Sequence, residues 1–243
     1  MKQGIFKITD NKNIARDVFR MSLAGDVSAI ERPGQFVNIA IEGQFLRRPI
    51  SVCDKSDDGF VIIYKKVGKG TDTLSKMAAG HSLDILTGLG NGYDLDESGD
   101  RPLLLGGGVG VPPLYWLCRT LAAQGKKPFA VLGFNAQDEI FYEDEFRKAG
   151  ADVQVMTADG SYGGKGFVTD AMNAIPYTYL YACGPMPMLR AVNAIAGTSG
   201  QFSFEERMGC GFGACMGCSC HTVSGDKRIC ADGPVMRREE VIW

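Results

Sequence analysis

The sequence predicts a protein of mixed β and α/β class, with an antiparallel β-barrel, a parallel α/β domain and a small cysteine-rich domain in that order. Short alternating apolar runs, separated by turn residues, fill residues 1–98, and strand-like runs alternate with helical patterns over residues 99–200. Five of the eight cysteines lie within residues 201–243. We therefore place the domain boundaries at these positions.

The N-terminal part contains six short strand-like segments. Glycine and proline residues such as Gly25, Gly34 and Gly59 separate them, as expected of turns. One helical pattern, Asp72–Ala79, interrupts the series. Strands of this length and spacing favour a small antiparallel barrel. The segments are Ile5–Thr9, Val18–Leu23, Phe36–Ile41, Pro49–Cys53, Phe60–Lys65 and His81–Leu86.

The middle part alternates strands with helices, which is typical of a parallel sheet covered on both faces. The predicted strands are Pro102–Leu105, Pro128–Phe134, Asp152–Thr157 and Tyr177–Cys183. The predicted helices are Pro112–Gln124, Tyr142–Lys148, Gly166–Asn173 and Met186–Ile195.

Composition excludes several classes of function. The chain has 243 residues, of which 45% are apolar, enough for an ordinary packed core. Its formal net charge is −2, so it has no excess of basic residues that would attract nucleic acid or an anionic membrane. No run approaches the roughly 20 apolar residues of a membrane helix, and the N-terminus lacks the apolar core of a signal peptide. We expect a cytoplasmic protein.

The cysteine-rich tail has the spacing of a plant-type [2Fe–2S] site. Four, two and eleven residues separate Cys210, Cys215, Cys218 and Cys230 in turn. The intervening glycines allow a tight loop whose amide groups point at the sulfur atoms. A zinc site is the alternative, although zinc more often takes two separated Cys-x2-Cys pairs. Cys220 is expected to be a small buried side chain rather than a ligand.

Two segments of the predicted barrel suit a phosphate-bearing ligand. Arg48 opens the run Arg48-Pro49-Ile50-Ser51 and offers a permanent fork of donors to a diphosphate. Gly70 and Thr71 precede a predicted helix, and free N–H groups at a helix start attract anions. Each segment has a simpler explanation, since Thr71 could cap the helix and Arg48 could be a surface residue.

A glycine-rich loop follows the first strand of the α/β domain. Gly106, Gly107, Gly108 and Gly110 lie between a strand and a helix, as in the Rossmann dinucleotide fingerprint, with proline in place of its last glycine. Cys183, Gly184 and Pro185 end a later strand, at the edge where such sheets bind ligands. The second strand is followed by Asp138 and Glu139 and by no arginine, which favours NAD over NADP.

In this order the motifs resemble the ferredoxin–NADP reductase superfamily. The resemblance implies that Arg48 contacts the diphosphate of FAD and that Ser51 contacts its flavin. It also assigns FAD contacts to Pro49 and Ile50, to Ile63, Tyr64 and Lys65, and to Gly70 and Thr71. Ile50 stands where many members carry a tyrosine, so flavin stacking differs at that point.

The tail narrows the resemblance. The segments 204–218 and 228–235 and the terminal Trp243 are similar to the electron-transfer subunits of dihydroorotate dehydrogenase B. That family implies electron flow from an FMN-containing catalytic subunit through [2Fe–2S] and FAD to NAD⁺, in a heterotetramer with two copies of each chain, for pyrimidine synthesis. Alone, the chain would reduce dyes with NADH and would supply no catalytic acid or base. The alternatives are a subunit of another flavin and iron–sulfur NAD(P)H reductase, or a zinc-stabilised binding module.

Overall fold

Six antiparallel strands form a closed barrel at the N-terminus of the computed structural model, which describes residues 1–243. Its strands are β1 (Lys2–Ala15), β2 (Val18–Ala24), β3 (Phe36–Ile39), β4 (Arg48–Lys55), β5 (Gly59–Lys65) and β6 (Ser82–Leu89). They pair in the order β1-β2-β5-β4-β3-β6, and β6 closes back on β1. Alternate side chains, among them Phe6, Ile39 and Ile62, fill the barrel interior.

The barrel carries one short helix, α1 (Lys69–Ser75), between β5 and β6. The predicted helix, Asp72–Ala79, is therefore displaced by several residues. Gly68 is the N-cap, and the Thr71 hydroxyl accepts a hydrogen bond from its amide at 3.3 Å, which closes the first turn. Gly70 and Thr71 consequently lie inside the first turn of the helix and not ahead of it.

A seven-stranded sheet forms the second part. The strands are β7 (Pro102–Gly107), β8 (Phe129–Phe134), β9 (Asp152–Thr157), β10 (Gly164–Lys165), β11 (Tyr179–Cys183), β12 (Gly200–Ser203) and β15 (Val235–Arg237). Their order across the sheet is β10-β9-β8-β7-β11-β12-β15. The helices are α2 (Pro112–Ala123), α3 (Glu143–Lys148), α4 (Val168–Met172) and α5 (Met186–Ile195). Neighbouring strands are parallel except for β15. The predicted class is confirmed. No helix has both the length and the apolar character needed to cross a membrane.

The C-terminal tail is tied to this sheet. β15 pairs antiparallel with β12, so Phe202 lies opposite Met236. A separate hairpin is formed by β13 (Ser219–Thr222) and β14 (Gly225–Arg228). Because β12 runs across the boundary placed at residues 200 and 201, we propose that the third domain begins just after Ser203. The cysteine loop thus leaves the carboxyl edge of the sheet, where ligands of parallel sheets bind.

Candidate functional site

A cavity of about 330 Å³ lies where the barrel, the sheet and the tail meet. Eight of the nine residues predicted to contact FAD line it. The eight predicted lining residues are Arg48, Pro49, Ile50, Ser51, Ile63, Tyr64, Lys65 and Thr71. Gly70 lies behind this wall. The structure therefore brings the two separate barrel segments to one cavity.

Arg48 is one of the charged residues that line this cavity, with Lys65, Glu205 and Glu206. Its guanidinium donates to the Gln44 side chain at 2.8 Å and to the Leu46 carbonyl, and it forms no ion pair with a carboxylate. Gly70 permits the approach of Arg48, because a Cβ at Gly70 would lie 2.4 Å from the Arg48 Nε atom. The guanidinium is thus held in place by neutral acceptors, so its positive charge is available to pair with an anionic group of a ligand.

The sequence did not identify the opposite wall of the cavity, which comes from the tail. Phe204, Glu205 and Met208 contribute to it. Trp243 packs on Phe204 with ring centroids 5.7 Å apart, which explains how the distant terminal tryptophan supports the wall. Glu205 lines the cavity and its side chain is exposed, but the protein atoms around its carboxyl partly desolvate it and raise its pKa. The remaining lining residues are Phe36, Val67, Val109, Ser203, Glu206 and Pro234.

A second cavity, of about 420 Å³, opens at the carboxyl ends of β7, β8 and β11. Of the predicted dinucleotide residues, Gly107, Gly108 and Pro185 line it. Its other lining residues come from the ends of neighbouring strands and from α4 and α5. They are Gly133, Phe134, Asn135, Glu139, Ala158, Gly166, Phe167, Val168, Thr169, Pro187, Met188 and Ala191.

The other predicted residues of this group shape the loop from behind. A Cβ at Gly110 would lie 2.2 Å from the Cys183 carbonyl oxygen, and one at Gly106 would lie 2.9 Å from Val111. Gly184 similarly packs against Met188 and the Gly107 amide. Cys183 is fully buried, and burial raises the pKa of its thiol above the ordinary value. These four residues therefore allow close packing, while Gly107 and Gly108 face the space for a ligand.

No arginine follows the second strand in the sequence near Asp138 and Glu139, but the fold brings one beside them. Arg16, from the turn between β1 and β2, pairs with Asp138 at 3.0 Å and with Glu139 at 2.6 Å. Lys65, which lines the first cavity, also pairs with Glu139 at 3.2 Å. Burial opposes ionisation of Glu139, but the bonds from Arg16, Asn135 and Lys65 lower its pKa to about 2.

The four cysteines predicted as cluster ligands lie together in the tail. Their thiols form two neighbouring pairs, Cys210 with Cys215 and Cys218 with Cys230. Cys210 also lies close enough to Cys230 for its charge to raise the pKa of the Cys230 thiol. No three His, Cys, Asp or Glu side chains converge as ligands of a single ion would. Two pairs suit a two-iron cluster, in which each iron takes two thiolates.

Backbone amides surround these sulfur atoms. The amides of Phe212 and Ala214 donate to Cys210 Sγ at 3.5 and 3.2 Å, and the Gly213 amide donates to Cys230 Sγ at 3.1 Å. Burial opposes ionisation of Cys210, but amide donors lower its pKa to about 6. The loop thus stabilises negative charge on the Cys210 sulfur, whereas burial raises the pKa of the Cys230 thiol to about 12. Four thiols surrounded by amide donors fit an iron–sulfur cluster.

Cys220 lies outside the two pairs. Its sulfur atom is 3.7 Å from the sulfur of Met236, and the side chain packs against the core beneath the sheet. Burial raises the pKa of this thiol. The structure therefore places Cys220 as a packing residue.

The cysteine loop has an inner and an outer side. Met208, two residues before Cys210, lines the first cavity, whereas Cys215 is exposed at the surface. Phe212 and Met216 of the same loop are also exposed, at 47% and 54%. The loop therefore connects the cavity to exposed apolar side chains at the surface.

Two family models match the chain. One describes the iron–sulfur cluster binding domain of dihydroorotate dehydrogenase B and covers residues 205–242. The other describes an oxidoreductase NAD-binding domain and covers residues 104–194. The two matches coincide with the cysteine loop and with the sheet that carries the second cavity.

Whole-chain comparisons agree with these matches. The electron-transfer subunit of dihydroorotate dehydrogenase B (NAD⁺) from Geobacillus sp. strain WCH70 is 43% identical over 100% of this chain and 99% of its own length. The Fusobacterium nucleatum subunit of the same name is also 43% identical, over 96% of each chain. Among solved structures, one chain of an NADH-dependent reduced ferredoxin–NADP oxidoreductase superposes with a TM-score of 0.90. It is 33% identical and covers 99% of this chain and 90% of that one.

Proposed function

Because the chain belongs to the family of dihydroorotate dehydrogenase B electron-transfer subunits, we propose that it delivers electrons from a dihydroorotate-oxidising subunit to NAD⁺. The reaction would serve pyrimidine (UMP) biosynthesis. FAD, a [2Fe–2S] cluster and NAD are the cofactors that fit its three sites. Electron transfer, with no acid–base residue of its own, is the function that the geometry supports best.

One observation carries this proposal, namely that the first cavity adjoins both of the other sites. Met208 lines this cavity two residues before the cluster ligand Cys210. Val109 also lines it, directly after Gly107 and Gly108 of the second cavity. A ligand in the first cavity would therefore stand between the cluster and the dinucleotide.

That order meets a chemical requirement. A [2Fe–2S] cluster exchanges single electrons and NAD exchanges a hydride, so a flavin that handles both must lie between them. The chain's own residues bind and position these groups. Arg48 would hold the diphosphate of FAD, Gly107 and Gly108 would admit NAD, and the four paired cysteines would hold iron.

We propose that the catalytic partner contains FMN and docks on the outer side of the cysteine loop. The exposed Cys215 brings the cluster site to the surface there, and Phe212 and Met216 supply apolar contact area. Two copies of each chain would form the assembly, in the cytoplasm, where reducing conditions keep thiolates available to iron.

The proposal is tested by purifying the chain with and without its partner and assaying both samples. We expect bound iron and flavin, NADH-dependent dye reduction by the chain alone, and dihydroorotate-dependent NAD⁺ reduction only by the complex. Dihydroorotate oxidation by the isolated chain would refute the division of roles. Reduction of ferredoxin, with no dihydroorotate activity in the complex, would favour the other flavin and iron–sulfur reductases.

A further inference from the structure

A buried asparagine links the barrel to the cysteine loop. Asn38 lies on β3 and is 1% exposed. Its Nδ2 atom donates a hydrogen bond to the carbonyl oxygen of Cys210 at 3.2 Å, across 172 residues of sequence. It is thus the barrel side chain that bonds directly to the backbone of a cluster ligand.

The loop is shaped to receive this side chain. Gly211 has a φ of +78°, and a Cβ there would lie 2.4 Å from the Asn38 Nδ2 atom. A side chain at position 211 would therefore be strained and would also collide with Asn38. The asparagine and the glycine interlock at the start of the turn that follows Cys210.

The Asn38 side chain is a poor choice for stability alone. Its Oδ1 atom is buried and has no hydrogen-bond partner. An unsatisfied buried acceptor destabilises a fold, and an apolar side chain of similar shape would avoid that cost. The Asn38 amide makes one hydrogen bond, to the Cys210 carbonyl oxygen, so we expect its role to lie in the position of the Cys210 backbone.

The same strand also borders the first cavity. Phe36 lines that cavity, and Asn38 lies opposite Pro49, another lining residue, in the β3–β4 ladder. Movement of the Cys210 backbone relative to β3 would therefore change both the cluster environment and its separation from the flavin site.

We propose that Asn38 is a positioning residue for the iron–sulfur cluster. By fixing the Cys210 carbonyl, it holds the turn whose Phe212 and Ala214 amides donate to Cys210 Sγ. Such donors stabilise the additional negative charge of a reduced cluster. The bond from Asn38 thereby raises the reduction potential of the cluster and keeps the loop against the flavin site.

The test uses Asn38→Leu, which removes the donor, and Asn38→Asp, which keeps the shape but replaces the donor with an acceptor. Asn13→Leu is the matched control, because Asn13 also donates to main-chain carbonyls in the barrel, at Ala15 and Val18, far from the cysteine loop in the chain. Iron and FAD content, thermal unfolding, the EPR spectrum of the reduced cluster and a potentiometric titration are measured for each full-length protein.

We expect both Asn38 variants to keep FAD and to shift the cluster's reduction equilibrium about tenfold toward the oxidised form, which is about 59 mV for one electron. Their EPR g-values should shift, and those of Asn13→Leu should not. Selective loss of iron, with FAD and unfolding temperature unchanged, would equally support the role. Unchanged potentials and spectra would overturn it, and so would loss of FAD and folded structure in both variants, since Asn38 would then serve the fold.

This inference rests on the proposed binding of a cluster by the four cysteines. Wild-type protein without iron or a reduced-state EPR signal would refute that binding. A normal wild-type cluster that both Asn38 substitutions leave unaltered would refute only the role of Asn38.

Discussion

Arg48 combines a fixed position with an unpaired charge. Its neighbours in the structure are the Gln44 amide oxygen and the Leu46 carbonyl, both neutral. A diphosphate would supply the anion that these contacts do not, and two parallel bonds from a guanidinium would orient it. At the residue scale, we therefore expect FAD retention to depend on this side chain.

We predict that Arg48→Ala weakens FAD binding by about ten- to hundredfold, because a charge-assisted contact contributes roughly 1.5–3 kcal/mol. Arg48→Lys should give an intermediate loss, since it keeps the charge but not the fork. Flavin titration of the apoprotein measures both. Arg147→Ala is the control, as Arg147 pairs with Glu143 and Asp144 on α3. Equal FAD affinity in Arg48→Ala and the control would contradict the assignment.

The cysteines give a second prediction at this scale. Serine at any of the four ligand positions, Cys210, Cys215, Cys218 or Cys230, should abolish the reduced-state EPR signal and lower bound iron, because each thiolate holds part of one iron's coordination. Cys220→Ser should retain both, since its sulfur contacts Met236 instead. Iron analysis and EPR of the five variants decide this. Retention in Cys230→Ser together with loss in Cys220→Ser would require a different ligand set.

The individual site residues differ in how far sequence could identify them. The cysteine ligands follow from local spacing, because three of them share one loop. Arg16 could not be found in that way, since it reaches Glu139 only after the barrel docks on the sheet, across 123 positions. Asn38 is hidden for the same reason. Contacts between domains depend on the folded arrangement, and no local pattern in either segment signals them.

At the scale of elements, local periodicity predicted the type of most strands and helices but not their pairing. β1 extends from Lys2 to Ala15, well beyond the predicted Ile5–Thr9, because it pairs with β6 at one end and with β2 along the rest. Register shifts between Ile8 and Asp10 and between Asn13 and Ala15 break its alternation, so the sequence pattern fades while the strand continues. β15 was missed because three residues provide too short a signal.

The ion pairs of the segment after β8 give a physical reason to expect a nicotinamide preference, and this reason differs from the sequence argument. Arg16 and Lys65 lie close to the second cavity, but both already form ion pairs. Arg16 pairs with Asp138 and Glu139, and Lys65 pairs with Glu139. A 2′-phosphate would have to displace these carboxylates to reach a cation. NADH should therefore be preferred because the nearby cations are engaged, in addition to any direct repulsion by the acidic side chains.

We predict that the chain favours NADH over NADPH by about tenfold or more in kcat/KM, a difference of about 1.4 kcal/mol or more. Glu139→Gln should reduce this ratio by freeing Arg16 and Lys65 for the additional phosphate. Dye reduction with both nucleotides measures the ratio. Glu143→Gln, which breaks a glutamate–arginine pair on α3 away from the cavity, is the control. An unchanged ratio in Glu139→Gln would show that the charge cluster has no part in specificity.

At the scale of the whole molecule, the three parts form a sequence of sites from the sheet to the surface. The second cavity, the first cavity and the cysteine loop are contiguous, and the loop presents the exposed apolar side chains of Phe212 and Met216 beside its cysteines. Rapid electron transfer requires a short distance between cofactors, so a partner that exchanges electrons with this chain should cover the loop. Association should then depend on Phe212 and Met216.

We predict that Phe212→Glu and Met216→Glu weaken binding to the catalytic subunit by at least about tenfold, since charge is disfavoured in an interface core. NADH-dependent dye reduction should be unchanged, because neither side chain lines a cavity. Titration with the partner by calorimetry or light scattering gives the affinity. Val223→Glu, on the hairpin turn at 71% exposure, is the control. Affinity loss in the control alone would place the interface elsewhere.

The order of sites also predicts how the two activities separate when the cluster is removed. Cys218→Ser, folded and bound to its partner, should lose dihydroorotate-dependent NAD⁺ reduction by at least about a hundredfold, which is about 2.7 kcal/mol or more in activation free energy. NADH-dependent dye reduction should remain largely intact, because Cys218 lines neither cavity and electrons passing from NADH to the flavin would not cross the cysteine loop. Cys220→Ser, prepared in the same complex, should retain both activities. Since Cys218 is buried, circular dichroism and flavin content must first show that the variant is folded. Full coupled activity in a cluster-free complex would mean that electrons reach the flavin site by a route that bypasses the cysteine loop.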